Sequence, residues 1–219
     1  MIKVFFKIVS FIFHPLLLFV LLLFISYSLN PYSFGFSEGH EAMIMLIMAI
    51  VILVIIPLVT TLMMKGLGFI HSLMMHDPKE RIGPLIAVII CYVWHYINVM
   101  NHQAIPDTYT FIALAGCISV GIVFFINNFT KISMHTVGAG ALFMGTVILL
   151  YLHSFDTLQL HILHYVLTIN PLLIAMITMI IAGLIGTGRL ILGAHKVSDI
   201  YGGYAVGIVS ILVALRIVF

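Results

Sequence analysis

The chain has 219 residues, 63% of them hydrophobic and 7% charged, with a formal net charge of +2 at pH 7. A typical soluble domain is about 25% charged, so a water-soluble globule is excluded. A net charge this small also gives no basis for a nucleic-acid partner.

Apolar runs close to the roughly 20 residues needed to cross a bilayer recur along the chain. In order they cover residues 4–28, 42–64, 84–100, 108–127, 136–153, 171–186 and 201–217. Backbone immersed in lipid must satisfy its hydrogen bonds within each span. The expected fold class is therefore all-α, a polytopic transmembrane bundle of six or seven helices. Residues 1–219 read as a single integral membrane domain, without repeats, linkers or low-complexity tracts. Lys3 and Lys7 precede the first run, as in a signal peptide. That run is too long for a signal sequence and no small-x-small site follows it, so a retained helix over 1–30 is expected. Cys91 and Cys117 fall inside spans without metal-type spacing and read as packing residues.

Alternating loops sort the charge unevenly. One side carries the N-terminus and loops 65–83, 128–135 and 187–200, with Lys3, Lys7, Lys65, Lys79, Arg81, Lys131, Arg189 and Lys196. Loops 29–41, 101–107 and 154–170 on the other side hold no Lys or Arg, and the C-terminal end adds Arg216. The positive-inside rule makes the first side cytoplasmic. With the cations in and beside the polar clusters set aside, Lys3, Lys7 and Lys65 stand against Arg216, a narrow margin.

Three polar clusters lie on that first side: residues 76–84 (HDPKERIGP), residues 131–135 (KISMH) and residues 188–203 (GRLILGAHKVSDIYGG). The third sets Arg189, His195 and Asp199 in one short stretch. A His and an Asp four apart share a face if helical, so the carboxylate can accept one imidazole N–H and set its tautomer. An Arg alongside supplies a planar fork suited to phosphate oxygens. Together these side chains suit phosphoryl chemistry, and their gathering on one surface suits a lipid headgroup. The remaining histidines read more plainly. His161 and His164 suit an interfacial polar rim, His14 and His95 suit packing within spans, and His76 and Asp77 adjoin the first cluster.

These clusters resemble the three signature motifs of the type 2 phosphatidic acid phosphatase superfamily, the membrane lipid phosphatases related to vanadium haloperoxidases. The third motif of that family runs Ser-Arg, five residues, His, three residues, Asp. Arg189, His195 and Asp199 keep that spacing, with Gly188 in place of the Ser. The second motif, Pro-Ser-Gly-His, is reduced to Ser133 and His135, with Ile132 and Met134 replacing Pro and Gly. The first motif, Lys, six residues, Arg-Pro, is matched in residue type but not in spacing by Lys79, Arg81 and Pro84. The resemblance spans about residues 60–217 and leaves the first helix outside the phosphatase-like core.

The resemblance implies an enzyme that hydrolyses a phosphate monoester or pyrophosphate of a lipid. His195 would be the nucleophile that becomes a phosphohistidine, Asp199 its orienting carboxylate, and His135 the general acid. Arg189, Arg81, Lys79 and Ser133 would bind the phosphate, with Arg81 preferred over Lys79. His135 and His195 would face each other across a gap about one phosphate wide. No cofactor and no metal ion is implied. The partners are the lipid phosphate and the membrane lipids around it, and the expected location is a bacterial cytoplasmic membrane. Phosphatidic acid, phosphatidylglycerol phosphate, a polyprenyl diphosphate and a saccharolipid phosphate all fit as substrates. The alternatives are a lipid phosphotransferase of the same family, or a catalytically degenerate membrane protein or transporter.

Overall fold

In the computed structural model, the described residues are 1–29, 39–73, 75, 78–152, 158–162 and 165–219. Helices α1 (Ile2–Ile12) and α2 (Pro15–Leu29) are followed by α3 (Gly39–Ile50), which runs through a π-helical turn (Val51–Ile55) into α4 (Ile56–Gly66). A 3₁₀ turn (Pro78–Arg81) leads into α5 (Ile82–Met100), then α6 (Asp107–Asn127), α7 (Met134–Leu152), α8 (Leu172–Ile191) and α9 (Val197–Val218). Among the described residues, six stretches are helical, long and apolar enough to cross a membrane, and α1 with α2 makes a seventh if that bent pair is one span. The chain is an all-α, multi-pass helical bundle.

Two elements depart from the sequence expectation. The first run is not one helix: α1 and α2 meet at an angle of 59°. Pro15 lacks an N–H and its ring clashes with the preceding turn, which also drives His14 out of the helical region. The break places His14 at the head of α2, where its Nδ1 accepts the Leu16 N–H at 3.4 Å. The loop after α7 also holds an antiparallel pair, β1 (Leu158–Ile162) and β2 (Tyr165–Ile169), in the register Leu158 with Ile169. His76, Asp77 and His164 lie outside the described residues, as does the His161 side chain.

Helix α7 sits at the centre, packed against α9, α2 and α8, while α6 lies against α9 and α5. Leu18, Leu22 and Leu23 of α2, Leu142 and Leu149 of α7 and Ile211 of α9 are almost wholly buried. The outward faces carry large apolar side chains such as Ile90, Trp94, Phe125, Met176 and Ile180. Lipid is as apolar as these side chains, so burial alone does not hold membrane helices together and close backbone packing must do so. The α7–α9 seam meets that need with glycines. A Cβ at Gly140 would lie 2.7 Å from the Tyr204 carbonyl oxygen, and one at Gly207 would strike the Val137 carbonyl. This seam holds the start of α7 against the start of α9, which carry His135 and Asp199.

Candidate functional site

The third cluster owes its spacing to two local devices. Helix α8 ends in a Schellman turn, with the Ala194 N–H donating to the Arg189 carbonyl at 3.1 Å and the Gly193 N–H to the Leu190 carbonyl at 2.9 Å. The turn needs a left-handed residue, and Gly193 supplies it at φ 65°. The chain doubles back, returning His195 beside the last turn of α8. Arg189 therefore sits on the helix and not in the loop that the sequence suggested.

Helix α9 then starts at Val197 with Lys196 as its N-cap and Asp199 as the third helical residue. The Asp199 carboxylate accepts the Lys196 backbone N–H at 3.1 Å, satisfying a donor that the lysine side chain cannot. The same Oδ2 lies 3.4 Å from His195 Nδ1. His195 thus precedes the helix, and its pairing with Asp199 spans the N-cap instead of a helical turn. A carboxylate oxygen only accepts, so Nδ1 holds the proton and Nε2 keeps its lone pair.

Ser133 and His135 reach this site through the backbone. The Ser133 N–H donates to the Asp199 carbonyl at 3.2 Å, tying the second cluster to the third. His135 Nε2 lies 3.2 Å from the Ser10 carbonyl of α1. The His14 ring meets the His135 ring edge-on at 5.9 Å between centroids. His135 lies within electrostatic reach of Arg189 and His195. Arg81 is 6% exposed and donates Nε–H to the Met75 carbonyl at 3.0 Å, whereas Lys79 points outward. Met75 takes a left-handed φ of 44°, an uncommon conformation for a side-chain-bearing residue, at the carbonyl that holds Arg81.

Among the described residues, two buried donors at this site have no protein partner: Arg189 Nε and Ser133 Oγ. A buried donor left unpaired costs about 1–3 kcal/mol, so each is suited to an oxygen-rich ligand. An open cleft of about 450 Å³ leads to His195 and Asp199 and is lined by Thr130, Lys131, Gly193, Ala194, Lys196 and Ser198. This lining includes neither His135 nor the two arginines.

The side chain of His195 is 5% exposed. Burial lowers its pKa to about 4, Arg189, Lys131 and Arg81 push the same way, and the Asp199 hydrogen bond opposes them. The ring is therefore neutral, with a free Nε2 lone pair, throughout the neutral pH range. An NMR titration of His195 should give a midpoint near 4. Asp199→Asn removes the raising influence and should move it lower, while Arg189→Gln should move it higher. Movement in the reverse directions would contradict this electrostatic arrangement.

Compared with known families, curated proteins and solved structures, the chain gives no match. Two parts of the site are not legible as such in the sequence. His14 suits packing by its place in an apolar run, although an ionisable group there is itself a signal. The Ser10 carbonyl has no signature in residue type.

Proposed function

We propose that this chain is an integral membrane phosphatase that hydrolyses a lipid phosphate monoester or pyrophosphate through a phosphohistidine. The observation that carries this reading is the pair of unpartnered buried donors, Arg189 Nε and Ser133 Oγ, at the end of the bundle that holds the His195–Asp199 pair. The resemblance of residues 188–199 to the third phosphatase motif supports the same chemistry.

In the proposed reaction His195 Nε2 attacks phosphorus, and the bond from phosphorus to the lipid oxygen breaks. Asp199 stabilises the imidazole as it gains positive charge. The bound phosphate anion favours a second proton on His135, at Nδ1; the ring delivers that proton to the leaving oxygen, then takes one back from the water that cleaves the phosphohistidine. Arg189 and Ser133 hold the phosphoryl oxygens as charge spreads over them. The lipid tail stays among the apolar helices while its headgroup meets the polar end.

The deciding experiment measures phosphate release from a panel of lipid phosphates by purified protein in detergent, wild type beside His195→Ala. Release by wild type alone supports the proposal, and equal release by both overturns it. Arg81 and Lys79 can then be separated. Losing a charge-assisted contact costs about 1.5–3 kcal/mol. At about 1.36 kcal/mol per tenfold in rate, Arg81→Ala should lower kcat/KM by roughly 10- to 150-fold. Lys79→Ala, at an exposed position, should cost much less. If both match wild type, the first cluster is only a basic membrane loop.

A further inference from the structure

Helix α1 lies outside the segment that resembles the phosphatases, yet two of its contacts, and a third from the break that follows it, converge on the site. The Ser10 carbonyl meets His135 Nε2 at 3.2 Å. His14, at the break after α1, lies edge-on to the His135 ring. Phe6, 7% exposed, packs over Gly188, where a Cβ would come within 2.7 Å of the Phe6 ring. Gly188 is the position at which the motif otherwise carries a Ser. The missing side chain is the space in which α1 docks against α8.

We propose that α1 is a working part of the site, with Ser10 as a positioning residue whose carbonyl orients His135 as Asp199 orients His195. A carbonyl oxygen accepts only, so Nε2 carries the proton of the neutral His135 ring, and Nδ1 is the nitrogen that must gain the catalytic proton before giving it up. Each histidine is then anchored through one ring nitrogen and acts through the other: Nε2 on His195, Nδ1 on His135. His14 braces the second ring from the side. The reduced second motif, with Met134 beside His135, leaves the orientation of that ring to α1. The catalytic meaning of this arrangement rests on the phosphatase reading, while its geometry does not.

The test uses the full chain in detergent micelles, labelled with ¹⁵N-histidine, with the His135 signals identified by their loss in His135→Gln. Wild type should show neutral His135 as the Nε2–H tautomer. Gly188→Ser puts a side chain where Phe6 packs, so it should displace α1 and mix the tautomers. The double variant Gly188→Ser with Phe6→Ala makes room again and should restore the wild-type spectrum. Misplacing a catalytic group by about 1 Å can cost about 100-fold. With a lipid phosphate that wild type hydrolyses, Gly188→Ser should lower kcat by up to that factor with little change in KM, and the double variant should recover most of the loss. An Nδ1–H tautomer in wild type, or a Gly188→Ser spectrum identical to wild type, overturns the proposal. If wild type hydrolyses no lipid phosphate but the tautomer still follows the Gly188 and Phe6 changes, the phosphatase reading fails and the positioning by α1 stands.

Discussion

His195→Ala is expected to lower turnover of a lipid phosphate by about four orders of magnitude or more, the scale seen when a covalent nucleophile is removed. The ring is buried, its Nδ1 faces Asp199, and burial with nearby cations keeps it neutral. Those conditions suit a nucleophile acting from Nε2. On the proposed mechanism His135→Ala removes general acid catalysis, which contributes about 10²–10⁴-fold, so its loss should be smaller. Asp199→Asn should keep a remnant of activity, because it mis-sets the His195 tautomer without removing the ring. Rapid quenching with phosphate-labelled substrate should trap the label on His195. Label on Ser133, or full activity in His195→Ala, would refute the assignment.

Gly207→Val is expected to be the most destabilising single change along the α7–α9 seam. Overpacking in a filled interior costs about 1–3 kcal/mol when side chains can adjust. At Gly207 the added Cβ would strike the Val137 carbonyl and lie 2.6 Å from the Ala141 nitrogen, both backbone atoms that no rotamer change can move. The helices must separate, so the loss should reach the top of that range or exceed it. Separation also strains the Ser133–Asp199 backbone bond, so activity should fall with stability. Gly202 is the internal control, since a Cβ there meets nothing within 4 Å. Gly202→Ala should be neutral or stabilise by up to about 1 kcal/mol through helix propensity. Thermal unfolding of the two variants in one detergent decides the matter, and equal losses would mean that the seam is not what holds the bundle together.

The helical spans and the third cluster were legible in the sequence for the same reason: both depend on local chemistry. Lipid demands long apolar runs whatever their neighbours, so composition by itself identified the spans. Arg189, His195 and Asp199 lie within one turn-and-cap unit, built by Gly193 and by hydrogen bonds between residues at most five apart. The second cluster was legible only through its residue types, because its place beside Asp199 depends on the glycine seam between α7 and α9. The first cluster gave two candidate cations. The 3₁₀ turn over Pro78–Arg81 separates them by burying Arg81 and leaving Lys79 exposed.

The amino-acid sequence by itself determined a polytopic helical membrane protein with an Arg-His-Asp triple at one end. Only the tertiary structure decided what surrounds that triple. Pro15 breaks the first apolar run, and α1 is carried onto α8, so that a carbonyl 125 residues away in sequence meets His135. Every residue offers a backbone carbonyl, so residue type says nothing about which one will meet a histidine. That choice follows from the break at Pro15 and from Phe6 packing where Gly188 has no side chain.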